Sequence, residues 1–442
     1  MRKKEISNNS QVNSIKIRQI QKQMKTSQLS ENLKGSEIIK IAGEVRAMQG
    51  KGEKIYNLTI GDFDSKIFPI PTTLKNLIIE NYQADLTNYP AGNGEGVLRQ
   101  NVSKYLAKHL GLDYSENEIL IAGGARPLIY AVYQTILDLE DTVVYPAPSW
   151  NNDAYTYLAR NKEISIEVKP ENKFMPTADE LEPYLKEANL VAVCSPLNPT
   201  GTTFEKVELE KICDLILAEN KLRKELDVKP LYLLYDQIYW QLTYGEIQHY
   251  NPVSLRPEMR DYTLFIDGIS KAFASTGVRV GWAFGPQDII NKMKDILGHV
   301  GAWAPKPEQM ATAKYLENSE DIEAYLSNIK SELSYRLEGF YEGFQGLKAL
   351  GLPVDVIKPE AALYLTVKFD LIGKKTQDGK ELSSIKEVTQ YLLNDAKVAL
   401  VPFYAFGASQ TSNWFRLSVG TTSREDISII IQNLKTSLEK LS

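Results

Sequence analysis

Lys271 follows Ser270 directly and precedes Arg279 and Gly281 in the run YTLFIDGISKAFASTGVRVGWAF, Tyr262 to Phe284. An apolar segment, Thr263 to Ile266, ends at Asp267 and Gly268, small residues follow the lysine, and a second apolar segment closes the run. The pattern reads as strand, exposed turn, strand. A lysine just past a strand end sits where α/β proteins collect their chemistry, and partial desolvation there leaves its amine neutral often enough to attack a carbonyl. Lys271 is thus a candidate Schiff-base residue. Asp236 ends another apolar segment, Leu231 to Tyr235, with Tyr239 three residues on. Gly123 to Pro127 lie between an apolar strand, Ile119 to Ala122, and an apolar helix, Leu128 to Leu139. A helix amino end presents free N–H groups and the positive end of a dipole, so this turn is either an anion site or an ordinary glycine turn between strand and helix. Arg416 is flanked by Trp414, Phe415 and Leu417, an apolar setting that argues against a surface salt bridge.

The elements that must position these groups alternate. A short strand from Tyr56 runs into a turn ending at Pro71 and containing Gly61, and Gly92, Gly94 and Gly96 precede a helix with Val97, Leu98, Val102, Leu106 and Leu110 on its apolar face. Thr142 to Tyr145 form a strand leading through Pro146 and Pro148 to Trp150. Leu190 to Cys194 form another, followed by SPLNPTG, in which two prolines and a glycine fix a rigid loop around Asn198. A charged helix spans Glu205 to Leu226; beyond Pro286 the pattern is mainly helical over 287–297 and 307–347, interrupted by HVGAWAPKPEQ. An alternating strand, Ala361 to Asp370, the strand WFRLSVG and a helix from Arg424 to Leu441 complete the chain.

At 442 residues the chain can bury a large core in two domains. A formal charge of -5 argues against a nucleic-acid surface, and 43% apolar residues is an ordinary soluble composition. Cys194 and Cys213 make neither a disulfide framework nor a zinc spacing, and His109, His249 and His299 form no metal motif. A reducing, cytoplasmic setting without a structural metal is the expectation. The basic start MRKKEIS lacks the apolar core of a signal peptide, and no window reaches the length of a membrane span. Residues 1–30 read as a polar tail or arm, and Ile38, Ile39, Ile41, Ala42, Val45 and Met48 as the packing stripe of one amphipathic helix.

In order along the chain, Y-x4-G-x3-L-R (Tyr89, Gly94, Leu98, Arg99), S-P-x-N-P-T-G around Asn198, D-x-x-Y (Asp236, Tyr239) and S-K-x7-R-x-G around Lys271 resemble the class I/II aminotransferases. These are pyridoxal-phosphate-dependent enzymes of the aspartate aminotransferase superfamily, and the resemblance covers about residues 35 to 440. It implies the fold type I α/β architecture: a large domain, 65–305, with a mostly parallel seven-stranded sheet, and a smaller α/β domain, 306–442, completed by 31–64. By resemblance Lys271 carries the cofactor and shuttles the substrate proton, Asp236 keeps the ring nitrogen protonated, Tyr239 and Asn198 hydrogen-bond the phenolic oxygen, and Trp150 stacks on the ring. Gly124, Ala125, Arg126, Ser270 and Arg279 surround the phosphate, joined by Tyr89 from the other subunit of a homodimer. Gly61 and Arg416 receive the substrate α-carboxylate. The implied reaction is a ping-pong amino transfer from an amino acid to a 2-oxo acid, with no nucleic-acid or membrane partner.

The chain departs from the family pattern at four places. Asp62-Phe63-Asp64 replaces an acid-proline-aspartate, Gln237 stands where a glutamate is common, Gly268 replaces a hydroxyl residue that binds phosphate, and Phe403 occupies a glycine position and would reshape one wall of the site. Arg126 is also a candidate for the distal carboxylate of aspartate or glutamate, whereas Tyr130, Trp303 and Phe403 could equally line an aromatic or aliphatic pocket. The same fold carries lyases and racemases that diverge after the proton is removed, and regulators that bind the cofactor without turnover. The absence of a basic helix-turn-helix pattern over residues 1–35 argues against the regulators.

Overall fold

The computed structural model describes residues 26–33 and 35–442. The expected polar arm lies outside the described residues as far as residue 25. From Thr26 to Ser36 the chain is a unit of its own with one short helix, Gln28–Asn32, whose N-cap Ser27 accepts the Ser30 N–H at 3.2 Å. The second unit, Glu37–Ser442, opens with the anticipated amphipathic helix, Glu37–Gly50, which buries Ile41 and Val45.

The strands in chain order are β1 (Tyr56–Asn57), β2 (Ile119–Ala122), β3 (Thr142–Ala147), β4 (Lys162–Glu167), β5 (Ala188–Cys194), β6 (Tyr232–Asp236), β7 (Thr263–Gly268) and β8 (Gly281–Phe284). Then come β9 (Val354–Val356), β10 (Tyr364–Phe369), β11 (Val398–Ala399), β12 (Val401–Pro402) and β13 (Trp414–Ser418). A seven-stranded sheet has the order β2-β8-β7-β6-β5-β3-β4, in which only β8 runs antiparallel to its neighbours. Its central strands are near-continuous apolar runs because helices cover both faces. Ile119, Ile121, Val191, Val193, Leu233 and Tyr235 pack on one face with the helices Gly96–Leu110 and Lys206–Glu225. The alternate residues Leu120, Ala122, Leu190, Ala192 and Leu234 pack on the other with Ala125–Ile136 and Gln287–Val300.

The edge strand β4, sequence KEISIE, carries only the alternating Ile164 and Ile166, a weaker signal than the continuous apolar runs of the central strands. Its exposed lysine and glutamates face water along the free edge, where charge discourages pairing with another chain. A second, antiparallel sheet, β12-β13-β10-β9, packs against the helices Ser319–Ala349, Ile385–Asn394 and Asp426–Leu438. β1 pairs in parallel with β11, Tyr56 opposite Val398, so an early segment is tied to a late one. No helix of the described residues is long and apolar enough to cross a membrane.

The stretch after β7 differs from the exposed turn anticipated for it. Ile269–Ala272 form one helical turn, and Ile269, Ser270, Ala272, Phe273, Ala274 and Ser275 are all buried. Small residues are needed there because the turn lies inside the protein, against the sheet edge.

Candidate active site

The carboxyl ends of β2, β5, β6 and β7 converge on one edge of the large sheet, the place where an open α/β sheet leaves backbone groups free for ligands. The loop Ser195–Gly201 leaves β5 there, Asp236 ends β6, and Lys271 follows β7. The Lys271 ammonium donates to the Gly61 carbonyl at 2.7 Å and lies 5.6 Å from the centre of the Tyr239 ring. Burial pushes its pKa down to about 8; nearby Arg416 and Arg126 push the same way, against the pull of Asp62 and Asp236. Burial also raises the Asp236 carboxyl to about 6, although its Oδ1 accepts the Ile238 N–H at 3.1 Å.

Arg416 reaches this cavity from β13 and is 1% exposed. Its Nη1 donates to Asn198 Oδ1 at 2.9 Å and its Nη2 to the Thr59 carbonyl at 2.6 Å, while Nε has no partner. Its guanidinium is sandwiched between the rings of Tyr364, 4.7 Å away, and Phe406, 4.9 Å away. No carboxylate pairs with it among the described residues, and burial lowers its pKa. A buried cation without a counter-ion is costly in an empty protein and is what an anionic ligand would complete. Because Asn198 accepts through Oδ1, its amide N–H₂ remains a donor.

The helix Ala125–Ile136 begins at Gly124, which has φ +93° and no side-chain cap. A Cβ on Gly124 would lie 2.1 Å from Arg279 Nη2, so only glycine lets the guanidinium close over the turn. Arg279 is held by the carbonyls of Gly123 and Thr276, both at 2.7 Å. Gly281 faces Gly124 equally closely, since its Cβ would lie 2.7 Å from the Gly124 carbonyl carbon. Gly268 in turn faces Gly281: a Cβ there would meet the Gly281 Cα at 2.8 Å. The missing hydroxyl at position 268 therefore has a local cause, because no side chain fits. Arg126 adds its charge to that of Arg279 and lies 5.1 Å from the Trp150 ring.

Lys271, Arg126, Arg279 and Arg416 thus load one cavity with positive charge, against the carboxylates of Asp62 and Asp236. With uncapped helix N–H groups beside Arg279, the residues fit pyridoxal phosphate: an anion-binding turn, an amine of depressed pKa and a carboxylate for a ring nitrogen. Gly61, Arg126, Asn198, Asp236, Tyr239 and Arg416 are tied to Lys271 or to one another by the contacts above, Gly124, Trp150 and Arg279 adjoin Arg126 or its turn, and Ala125 and Ser270 are chain neighbours of these. Tyr89 does not join them. It is 82% exposed and meets Trp303 edge-on at 5.4 Å, in a surface groove with Tyr82 and Lys306.

Three residues of the cavity were not anticipated from the sequence: Asp62, Tyr364 and Phe406. Asp62 accepts from Thr276 Oγ1 at 2.6 Å and is the strongest carboxylate influence on Lys271. Tyr364 Oη lies 2.6 Å from Tyr239 Oη. Phe406 is braced by Phe403, which packs on Phe174 at 5.1 Å and is fully buried; the wall expected from Phe403 is presented by its neighbour instead. Tyr364 and Phe406 sit in apolar runs, where an aromatic reads as core.

A mostly parallel seven-stranded sheet that gathers these groups at its carboxyl edge defines a fold type I pyridoxal-phosphate enzyme. The family model described as aminotransferase class I and II matches residues 53–434, and the chain belongs to that family. Among curated proteins it is 28% identical to an aspartate aminotransferase of Bacillus sp. (strain YM-2), over 88% of this chain and 92% of that one. The solved aspartate aminotransferase of Rhizobium meliloti superposes with a TM-score of 0.85 at 26% identity, covering 95% of this chain and all of its own. An aromatic aminotransferase from Pyrococcus horikoshii OT3 gives a TM-score of 0.77 at 25% identity, covering 89% and 98%. The protein is a pyridoxal-phosphate-dependent aminotransferase that moves an amino group between an L-amino acid and a 2-oxo acid in two half-reactions.

Proposed function

We propose that the preferred donor is aspartate and the acceptor a 2-oxo acid such as 2-oxoglutarate. The observation that carries this reading is the pair of cations, Arg416 and Arg126, each felt by Lys271 and neither ion-paired among the described residues. Arg416 would grip the α-carboxylate and Arg126 the distal one, so that together they measure a diacid. The relatives that bear the name aspartate aminotransferase support the same substrate. Expected on replacing Arg126 by alanine is a fall in kcat/KM for aspartate of about 10- to 100-fold, with alanine turnover largely kept, because only the longer substrate meets that charge. Steady-state transamination with 2-oxoglutarate and a panel of aspartate, alanine, phenylalanine, tyrosine and leucine measures it. Equal losses on aspartate and alanine would assign Arg126 to the phosphate or the fold. A second reading, an aromatic donor, draws on Arg126 lying against Trp150 and on Phe406 beside Arg416. It predicts phenylalanine turnover above aspartate turnover in the same panel.

In the proposed assignment Gly124, Ala125, Ser270 and Arg279 hold the cofactor phosphate, Trp150 covers one face of the ring, Asp236 pairs with its nitrogen, and Asn198 and Tyr239 donate to its phenolic oxygen. The bound group supplies a ring that accepts the electron pair left when the Cα–H bond breaks. Lys271 carries that proton away from Cα and returns it on the far side of the reaction; its depressed pKa keeps the amine able to accept it near neutral pH. Arg416, with the Gly61 backbone beside it, would hold the carboxylate and so restrict how the substrate can turn. Asp236, raised to about 6 by burial despite the Ile238 N–H and the Lys271 charge, would fall below that beside a cationic ring nitrogen and stay ionised.

The reading includes the domain division at 64/65 and 305/306, supported by the pairing of β1 with β11, and a cytoplasmic setting, supported by the two free cysteines. It also includes a homodimer in which Tyr89 reaches the partner's phosphate site, supported by that tyrosine's exposure beside Trp303. Mixing Tyr89→Phe subunits with Lys271→Ala subunits is expected to raise activity above the average of the two parents, since each hybrid dimer regains one intact site. Strict additivity, or a fully active monomer in sedimentation, sinks the shared site.

A further inference from the structure

Tyr364 lies where the two ends of the cavity meet, and no role has yet been given to it. It opens β10 opposite Ser418 of β13, two residues from the position facing Arg416, and is fully buried. Its hydroxyl lies 2.6 Å from that of Tyr239, with the rings 5.6 Å apart at 70°. The Arg416 guanidinium sits 4.7 Å over its ring, and the Lys271 ammonium lies 5.6 Å from the ring of its partner Tyr239. Gly61, whose carbonyl holds Lys271, approaches so closely that a Cβ would stand 2.6 Å from the Tyr364 oxygen.

Two hydroxyls at this distance share one hydrogen between them, so the donor's identity decides where the other hydrogen points. Burial raises both phenols and the Arg416 guanidinium lowers both, but it lies directly over the Tyr364 ring and weighs more on that hydroxyl than on Tyr239, which makes Tyr364 the better donor. If Tyr364 donates, the Tyr239 O–H is turned outward and polarised, which strengthens its own donation. The charged and titratable groups facing the pair are Arg416 from β13, Cys194 from the end of β5, Asp62 from the loop after β1, and Lys271 from the turn after β7.

We propose that Tyr364 is a positioning residue that links the carboxylate end of the site to the lysine end: it donates to Tyr239, aims the Tyr239 hydroxyl into the cavity beside Lys271, and does so under the control of the Arg416 charge. A carboxylate arriving at Arg416 neutralises the cation on the Tyr364 ring and so weakens the donation, which tells the lysine end that the substrate has docked. The inference rests on the roles given above to Tyr239 and Arg416.

The test is a spectroscopic cycle on the cofactor-loaded protein, following its near-visible absorbance against pH in wild type, Tyr364→Phe, Tyr239→Phe and the double variant. Tyr364→Phe keeps the ring on Arg416 and removes only the hydroxyl. Its expected effect is to raise the midpoint by about half a pH unit in the wild-type background, in the same direction as Tyr239→Phe, and to leave the midpoint unchanged when Tyr239 is already phenylalanine. Saturating a dicarboxylate inhibitor such as maleate is expected to move the wild-type midpoint further than that of Tyr364→Phe. An equal shift in both backgrounds, or none in the first, overturns the link while leaving Tyr239 and Arg416 in their roles. A Tyr239→Phe protein with the wild-type midpoint overturns instead the assignment on which the inference rests.

Discussion

Lys271→Ala is expected to lower turnover by at least about 10⁴-fold, because one side chain both anchors the cofactor and carries the proton, and each service alone is worth orders of magnitude. Borohydride reduction of the wild-type holoenzyme should fix the cofactor on the peptide containing Lys271, and the variant should yield no such peptide. A cofactor fixed on another lysine would remove Lys271 from the site. The pH dependence of cofactor uptake by the cofactor-free protein follows from the same environment. An ordinary lysine is about one part in a thousand neutral at pH 7.5, whereas an amine with a pKa of about 8 is about a quarter neutral. Uptake should therefore climb as pH rises to about 8 and then level. Arg126→Ala should move that midpoint upward, since removing a nearby cation makes the ammonium easier to keep. A midpoint near 10 in the wild type would contradict the desolvated amine.

Arg416→Met separates binding from stability. Without the guanidinium, kcat/KM should fall by about 10²- to 10³-fold for every amino acid tested, charged or not, as expected when one partner of a buried charge-assisted pair is removed. The cofactor-free variant should nevertheless be no less stable than wild type. Arg416 is buried with Nε unpaired and no carboxylate partner among the described residues, so an apolar side chain of similar length relieves a desolvated charge. Its hydrogen bonds to Asn198 and Thr59 offset part of that gain, which sets the expected change at about 0 to 3 kcal/mol in favour of the variant. Thermal melts of the two cofactor-free proteins measure it. A melt many degrees lower for Arg416→Met would mean that the arginine is a structural strut and that its unpaired nitrogen carries no functional meaning.

What could be read from the sequence divides along physical lines. Lys271, Asn198, Asp236 and Arg279 are polar or charged residues at or near the ends of apolar runs and Arg416 is a charge inside one, and such residues stand out because burying them needs a reason. The parallel sheet was equally legible, since strands covered on both faces are written as unbroken apolar runs. β4 was not, because an edge strand half-exposed to water is written in charges. Tyr364 and Phe406 were hidden for the opposite reason. Each lies in an apolar segment where an aromatic is the expected filler, and only the fold reveals that both press on the same guanidinium. The turn after β7 was misjudged because Gly, Ser and Ala suit exposed turns and tightly packed ones alike; its burial comes from elements far away in sequence. The resting place of Arg126 on Trp150 is a rotamer choice, which no local pattern encodes.

Gly124, Gly281 and Gly268 touch in a row, each leaving less than 3 Å for a methyl group on the next. A mutational library directed at these three positions should return almost nothing but the parent, whatever activity is selected. Arg126 and Phe406 meet the other site residues through side chains, so their chemistry can be exchanged without moving a backbone atom. A lineage of such enzymes can therefore drift from one amino acid to another while its grip on the cofactor stays fixed. For a breeder of new specificities, the three glycines mark the ground to leave untouched.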